Sequence, residues 1–124
     1  MTSLLPPGGR SDPPATTARL ATVDGAPPAE TLSGVLRVRR QDDGSFTAGA
    51  RTHHRKRKFG GETAGQAVMA AGATVPADRI LHAARTTYLR AADSATPTRY
   101  VVTTLRDGAS FSDRRVEAFQ DERR

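Results

Sequence analysis

The residues that decide the fold read FGGETAGQAVMAAGATVP and occupy positions 59–76. Most of them are good helix formers, and Glu62 falls in the first turn, where a negative charge favours the helix dipole. Pro76 ends the pattern because it cannot continue a helix. Gly65 and Gly72 lie seven residues apart on one face, where the missing side chains let another backbone approach closely. We therefore predict one helix of small residues, buried against the rest of the fold.

Three segments downstream of this helix have the composition of β-strands. They span residues 80–90, 100–105 and 111–119, and they combine β-branched and aromatic residues with charged ones. Between the last two segments, Asp107-Gly108 predicts the turn of a hairpin.

Upstream of the helix the pattern is weaker. Residues 32–39 fit either a short helix or a strand, and Asp43-Gly44 marks a turn before a weak strand over residues 45–50. The order of elements predicts an α+β fold, with a single helix on one face of an antiparallel sheet.

The first 29 residues have a different composition. Six of the eight prolines lie within residues 1–28, mixed with Gly, Ala, Ser and Thr. Such a stretch buries too little apolar area to offset the free-energy cost of ordering its backbone. We predict that residues 1–29 form a disordered proline-rich arm and that residues 30–124 form one domain. The alternative is that the proline pairs bind another domain.

Charge and composition exclude several classes of protein. Lys and Arg total 19 against 13 acidic residues, which gives a net charge of +6 and favours an anionic partner. Five of the positive charges lie in RTHHRKRK at residues 51–58. Without cysteine there are no disulfides or thiolate chemistry, and we predict neither a metal nor a cofactor. No apolar run suits a membrane span or a signal peptide, so we expect a soluble cytoplasmic protein.

Three ordered blocks resemble the N-terminal half of the acyl-CoA thioesterase II family. They are FGG with GQ at residues 59–61 and 65–66, HAARTTYLR at 82–90, and LRDGASFSDRRV at 105–116. The resemblance extends over about residues 32–120 and implies a hotdog fold, in which a curved antiparallel sheet wraps a central helix. It also implies the activity of the family, the hydrolysis of fatty acyl-CoA to free acid and CoA.

The chain departs from the family pattern in ways that leave its function open. The family has a further apolar strand after residue 120 and a second hotdog domain with the catalytic residues, and neither is found in this sequence. We therefore interpret the chain as a truncated N-terminal half of a double-hotdog thioesterase. The alternatives are a non-catalytic half that binds acyl-CoA or acts as a scaffold, and an inactive remnant. The expected partners are acyl-CoA and a second copy or a second hotdog chain, with no nucleic acid.

The start of the helix is the first candidate site. The backbone N–H groups of Gly60 and Gly61 could hold a thioester oxygen as it becomes an oxyanion, although two glycines also suit a tight turn. Glu62 is a candidate general base, or a residue that only stabilises the helix dipole. Gln66, one turn further, could orient a water or cap a backbone group.

Two other features complete the predicted site. His82 falls where the family has a histidine, and it is a candidate for orienting substrate or transferring a proton. A strand histidine satisfied by one hydrogen bond is the alternative. The basic run has three interpretations: a loop that binds CoA phosphates, a nucleic-acid or polyanion patch, and a solvated loop. The phosphate hypothesis assigns substrate binding to Arg55, Lys56, Arg57 and Lys58.

Overall fold

The computed structural model describes residues 31–51 and 56–121, so the predicted arm at residues 1–29 lies outside the described part. Within these ranges, two helices and four strands follow one another. They are α1 (Leu32–Val35), β1 (Arg39–Arg40), β2 (Phe46–Ala48), α2 (Gly60–Gly72), β3 (Thr98–Asp107) and β4 (Ser112–Phe119). The ambiguous segment thus contains both kinds of structure, a single helical turn and then a short strand.

The four strands form one antiparallel sheet in the order β1-β2-β3-β4. Helix α2 packs on one face of it, which confirms the α+β prediction and is consistent with a hotdog fold. The predicted hairpin joins β3 and β4, and the Gly108 N–H donates to the Phe111 carbonyl at 2.8 Å. The predicted turn at Asp43-Gly44 is also present, because Gly44 takes a φ of +81° that glycine adopts without strain.

The hydrophobic core lies between α2 and the sheet and is small. Its fully buried members are Phe46, Ala48, Ala70 and Tyr100. Only one apolar side chain of α2, that of Ala70, is among them, since the other buried residues of the helix are Glu62 and Gln66. The helix is therefore less buried in apolar surroundings than its composition predicts.

The two helical glycines behave differently from each other. A Cβ atom on Gly65 would lie 2.5 Å from Leu36 Cδ2, so this position is needed for close packing, although against a side chain and not a backbone. Gly72 has nothing within 4 Å of an added Cβ among the described residues. The prediction of a close backbone approach along this face was therefore wrong for both positions.

Arg114 joins the end of α2 to the β3–β4 hairpin. Its guanidinium donates to Thr74 Oγ1 at 2.9 Å, to the Thr74 carbonyl at 3.0 Å, and to both carboxylate oxygens of Asp107 at 2.8 and 3.1 Å. The hydrogen bond from Arg114 lowers the pKa of Asp107. Because only 6% of the Arg114 side chain is exposed, this contact is a fixed part of the fold.

Residues 80–91, which we call the edge segment, do not form the predicted strand. All twelve are exposed, and no backbone group of the segment is hydrogen-bonded to another described residue. Its two ends are nevertheless fixed. Arg79 donates to the carbonyls of Gly108 and Ala109, and the Lys58 N–H donates to the Ala92 carbonyl. The prediction of a strand was wrong here because a strand needs a paired neighbour, and the described residues provide none.

Candidate functional site

Helix α2 begins with two unused hydrogen-bond donors. Its N-cap residue, Phe59, has no side chain that could accept a hydrogen bond from the first turn. The N–H groups of Glu62 and Thr63 both point to the Phe59 carbonyl, at 3.0 and 3.4 Å, whereas those of Gly60 and Gly61 have no acceptor among the described residues. Free N–H groups at the positive end of a helix dipole favour a negatively charged or polarised oxygen.

Aromatic rings lie against both glycines. A Cβ atom on Gly60 would be 3.0 Å from Tyr88 Cζ, and one on Gly61 would overlap the ring of Phe59. The Tyr88 hydroxyl also donates to the Gly60 carbonyl at 2.7 Å. Both positions therefore need glycine for the rings to come this close.

A cleft of about 420 Å³ opens beside the start of α2. One wall belongs to the helix and the residue before it, and the other belongs to the end of the edge segment. Its lining consists of Lys58, Gly60, Thr63 and residues 88–92. The described lining includes no Asp, Glu or His side chain, so the cleft has donors and a cation but no ionisable base.

A cluster of buried polar side chains, which we call the polar network, lies between α2 and β3. Its centre is Gln66, whose Oε1 accepts from the Lys58 ammonium and from the Tyr100 hydroxyl, each at 2.6 Å. Gln66 Nε2 donates to the Val35 carbonyl at 2.6 Å and to Glu62 Oε1 at 3.3 Å. The amide of Gln66 is thus fully used inside the protein.

The polar network contains an ion pair. Lys58 Nζ lies 3.7 Å from Glu62 Oε1, and the two side chains are only 4% and 8% exposed. Nζ also donates to Thr98 Oγ1 at 3.2 Å. Burial lowers the pKa of Lys58, while the attraction of Glu62 opposes that effect; burial also raises the pKa of Tyr100 well above its usual range.

The predicted site residues are only partly brought together. Gly60 lines the cleft and Gly61 follows it, but Glu62 and Gln66 point into the polar network. His82 lies at the opposite end of the edge segment, edge-on to Phe111 with ring centroids 5.5 Å apart. Five residues separate it from Tyr88, which contacts Gly60.

The described residues of the basic run differ in their exposure to solvent. Arg55 lies outside the described residues, and Lys56 and Arg57 are exposed. Lys58 differs from them, because its ammonium points into the polar network and contacts Gln66, Thr98 and Glu62 there.

Sequence reasoning missed the burial of Lys58 and the roles of Tyr88 and Thr63 in the cleft. A signal for the first existed, since Lys58 and Glu62 have the i,i+4 spacing that brings side chains together on a helix. No sequence pattern marks Tyr88, because its contact with Gly60 spans 28 residues of chain.

Two general features are absent from the described part of the chain. It contains no group of three or more His, Cys, Asp or Glu side chains placed to bind a metal ion. None of its helices is both long and apolar enough to cross a membrane.

Replacing Gly60 by alanine is expected to displace the Tyr88 ring and break its hydrogen bond, because the added Cβ atom would lie 3.0 Å from Tyr88 Cζ. We expect a loss of about 1 kcal/mol in the free energy of unfolding, the usual contribution of one hydrogen bond. Gly72→Ala on the same helix is the matched control, since space is open there and alanine should stabilise the helix by about 0.5–1 kcal/mol. Urea unfolding measures both, and equal gains from the two variants would contradict the expectation.

Comparison with known proteins gives consistent matches. The family model for the acyl-CoA thioesterase N-terminal domain matches residues 47–124. Acyl-CoA thioesterase 2 of Haemophilus influenzae is 37% identical over 89 residues, covering 72% of this chain and 31% of that protein. Acyl-coenzyme A thioesterase 8 of Mus musculus and that of Homo sapiens are each 43% identical over 65 residues, covering 52% of this chain and 20% of theirs. The matches therefore extend over less than a third of each relative's length.

Proposed function

Because the chain belongs to the acyl-CoA thioesterase N-terminal domain family, we propose that it binds fatty acyl-CoA and takes part in its hydrolysis to free acid and CoA. In this proposal it acts as the N-terminal half of a double-hotdog enzyme of fatty acid metabolism, in the cytoplasm. The observation that supports it best is that the N–H groups of Gly60 and Gly61 have no acceptor among the described residues, beside a cleft that Gly60 lines.

The two N–H groups would receive the carbonyl oxygen of the thioester. When water attacks the carbonyl carbon, negative charge develops on that oxygen, and donors already fixed in place stabilise it without reorganising. The helix dipole adds to this effect, because its positive end faces the same position. The thiolate of CoA then leaves and takes up a proton.

The base that activates the water is proposed to come from another hotdog unit. Glu62 and Gln66 already have partners in the polar network, and His82 contacts Phe111 and does not line the cleft. The same observation supports a second candidate function, a half that binds acyl-CoA without hydrolysing it. Thiol release from a fatty acyl-CoA, measured with and without a second half, distinguishes the two.

The exposed residues Lys56 and Arg57, together with Arg55, which lies outside the described residues, are proposed to bind the phosphates of CoA. Replacing Arg55, Lys56 and Arg57 by glutamine should weaken the binding of CoA and flatten its dependence on salt, because the Coulomb attraction is removed while the cleft is kept. Isothermal titration at two salt concentrations measures both quantities. Unchanged CoA affinity together with the loss of a nucleic-acid gel shift would support the polyanion hypothesis instead.

The edge segment is proposed to be where a second hotdog unit pairs with the chain. It exposes four large apolar side chains, those of Ile80, Leu81, Tyr88 and Leu89, as well as backbone groups that have no partner in the described part of the chain. Exposed edges of this kind recruit other chains. We propose a second hotdog unit as the partner of this edge because each of these relatives is more than three times as long as the part that matches this chain.

The expected result in solution is a dimer, a complex with a second half, or aggregation. Light scattering on the purified chain tests it. Leu81→Lys and Leu89→Lys, which place charges among the exposed apolar side chains, should shift the protein towards a monomer. Asp42→Lys, at an exposed position in the turn between β1 and β2, serves as a surface control. A wild-type chain that is a monodisperse and cooperatively folding monomer would contradict the proposal.

A further inference from the structure

We propose that Lys58, paired with Glu62, is a positioning residue that fixes the first turn of α2 while leaving the N–H groups of Gly60 and Gly61 free. The proposal rests on the proposed function, because it is the thioester oxygen that needs those N–H groups.

A helix start is usually fixed by the residue at its N-cap. A Ser, Thr, Asp or Asn there accepts a hydrogen bond from the second or third N–H group of the helix. In α2 the second of these groups belongs to Gly61, so an ordinary cap would compete with substrate for a donor of the site. Phe59 at the N-cap offers no such acceptor, and the turn has to be held in another way.

Lys58 supplies that attachment two residues before Gly60. Its backbone N–H donates to the Ala92 carbonyl at 2.8 Å. Its ammonium donates to Gln66 Oε1 at 2.6 Å and to Thr98 Oγ1 at 3.2 Å. One residue thus connects the far wall of the cleft, the second turn of α2 and strand β3, without using an N–H group of the site.

The charge of Lys58 is not needed to fill the space between α2 and β3. Two apolar side chains of similar volume would fill this space without the desolvation cost that a buried ion pair incurs. The charged groups join the first turn of α2 to Gln66 in its second turn and to Thr98 on β3, and hydrogen bonds from an ionised donor are stronger than those between neutral groups. Glu62 compensates the charge from inside the polar network and so keeps Lys58 in place.

The test replaces the ion pair by a neutral pair of similar shape, Lys58→Met with Glu62→Gln. Lys58→Met alone should lower the melting temperature strongly, because it leaves Glu62 buried without a counter-charge, and the double variant should recover most of that loss. If Lys58 only stabilises the fold, the double variant should resemble the wild type in every respect. If Lys58 positions the first turn of α2, stability recovers but the position of that turn does not, so we expect the Gly60 and Gly61 amide resonances to remain shifted in the double variant.

Kinetics of the chain assembled with a second half give the second readout. We expect kcat to fall about tenfold with KM nearly unchanged, a smaller loss than the 10²–10³-fold effect of removing a direct oxyanion donor. Lys56→Met, the same change at the other lysine of the chain, should alter KM and leave both amide resonances in place.

Wild-type amide resonances and wild-type kcat in the double variant would overturn the proposal. If the double variant fails to fold, Glu62→Gln alone serves the same test, since it removes the counter-charge and keeps the shape. The amide resonances do not depend on hydrolysis. A wild-type assembly that releases no thiol would therefore refute the proposed function, while the resonances would still test the role of Lys58.

Discussion

Thiol release from palmitoyl-CoA is expected to be about 10²–10⁴-fold slower for this chain alone than for the chain co-expressed with a second hotdog half. That range is the usual contribution of a positioned general acid or base. The described lining of the cleft includes Gly60, the proposed oxyanion site, but no Asp, Glu or His that could deprotonate water. Binding and polarisation of the thioester are therefore expected without efficient attack on it.

Two variants make this expectation specific. His82→Ala should leave turnover of the assembled enzyme nearly unchanged, because the imidazole contacts Phe111 and not the cleft. Glu62→Gln should reduce turnover through the loss of the counter-charge of Lys58. Robust turnover by the isolated chain that Glu62→Gln abolishes would show instead that Glu62 is the general base of a self-sufficient enzyme.

Replacing Tyr100 by alanine is expected to cost about 3–5 kcal/mol of unfolding free energy, the usual effect of deleting a large buried aromatic side chain. Tyr100 is fully buried in a core that contains three other fully buried apolar residues among those described, and its hydroxyl donates to Gln66. Since small domains are stable by about 5–15 kcal/mol, this single change removes a large share of the stability, and at the lower end of that range it would unfold much of the population. Urea unfolding followed by circular dichroism measures it.

Tyr100→Phe separates the hydroxyl from the ring. We expect a loss of about 1 kcal/mol from the missing hydrogen bond, with the core retained. The variant should also change the response to alkali. Burial raises the folded-state pKa of Tyr100, so above pH ~10 the unfolded state loses this proton first and stability falls as the pH rises. Lys58 acts in the opposite sense, because its folded-state pKa is lowered. A wild-type chain that ionises both tyrosines without unfolding would contradict the expectation.

The sequence predicted the elements that are determined by local interactions. Helix α2 follows from a run of helix formers between two glycines and a proline, and the β3–β4 hairpin follows from Asp107-Gly108 between two β-rich runs. The predicted family was confirmed by the matching family model. Two of the three blocks that carry the resemblance lie in these elements, and the third, residues 82–90, lies in the edge segment. The predicted domain limits and the roles of the individual site residues stay predictions.

Other features could not be predicted because they depend on distant residues. The edge segment has the composition of a strand, but pairing decides whether a strand forms, and composition does not show whether a partner is present. Lys58 looked like one more charge of a solvated run, and its burial depends on Thr98 at 40 residues further along the chain. The sequence identifies Glu62 as an acid in the first turn, but its ion pair could not be predicted because it depends on the direction of the Lys58 side chain.

The polar network also has a consequence for the order in which the chain folds. Strands β3 and β4 are joined by a short turn, and hairpins of this kind close within about 1–10 μs. The bonds of Gln66 to Val35 and to Tyr100 instead join residues 31 and 34 positions apart, so longer loops must close before they form. The hairpin is thus expected to form early in folding and the bonds around Gln66 late. In native-state hydrogen exchange, the start of α2 should accordingly open at a lower free energy than the middle of the hairpin.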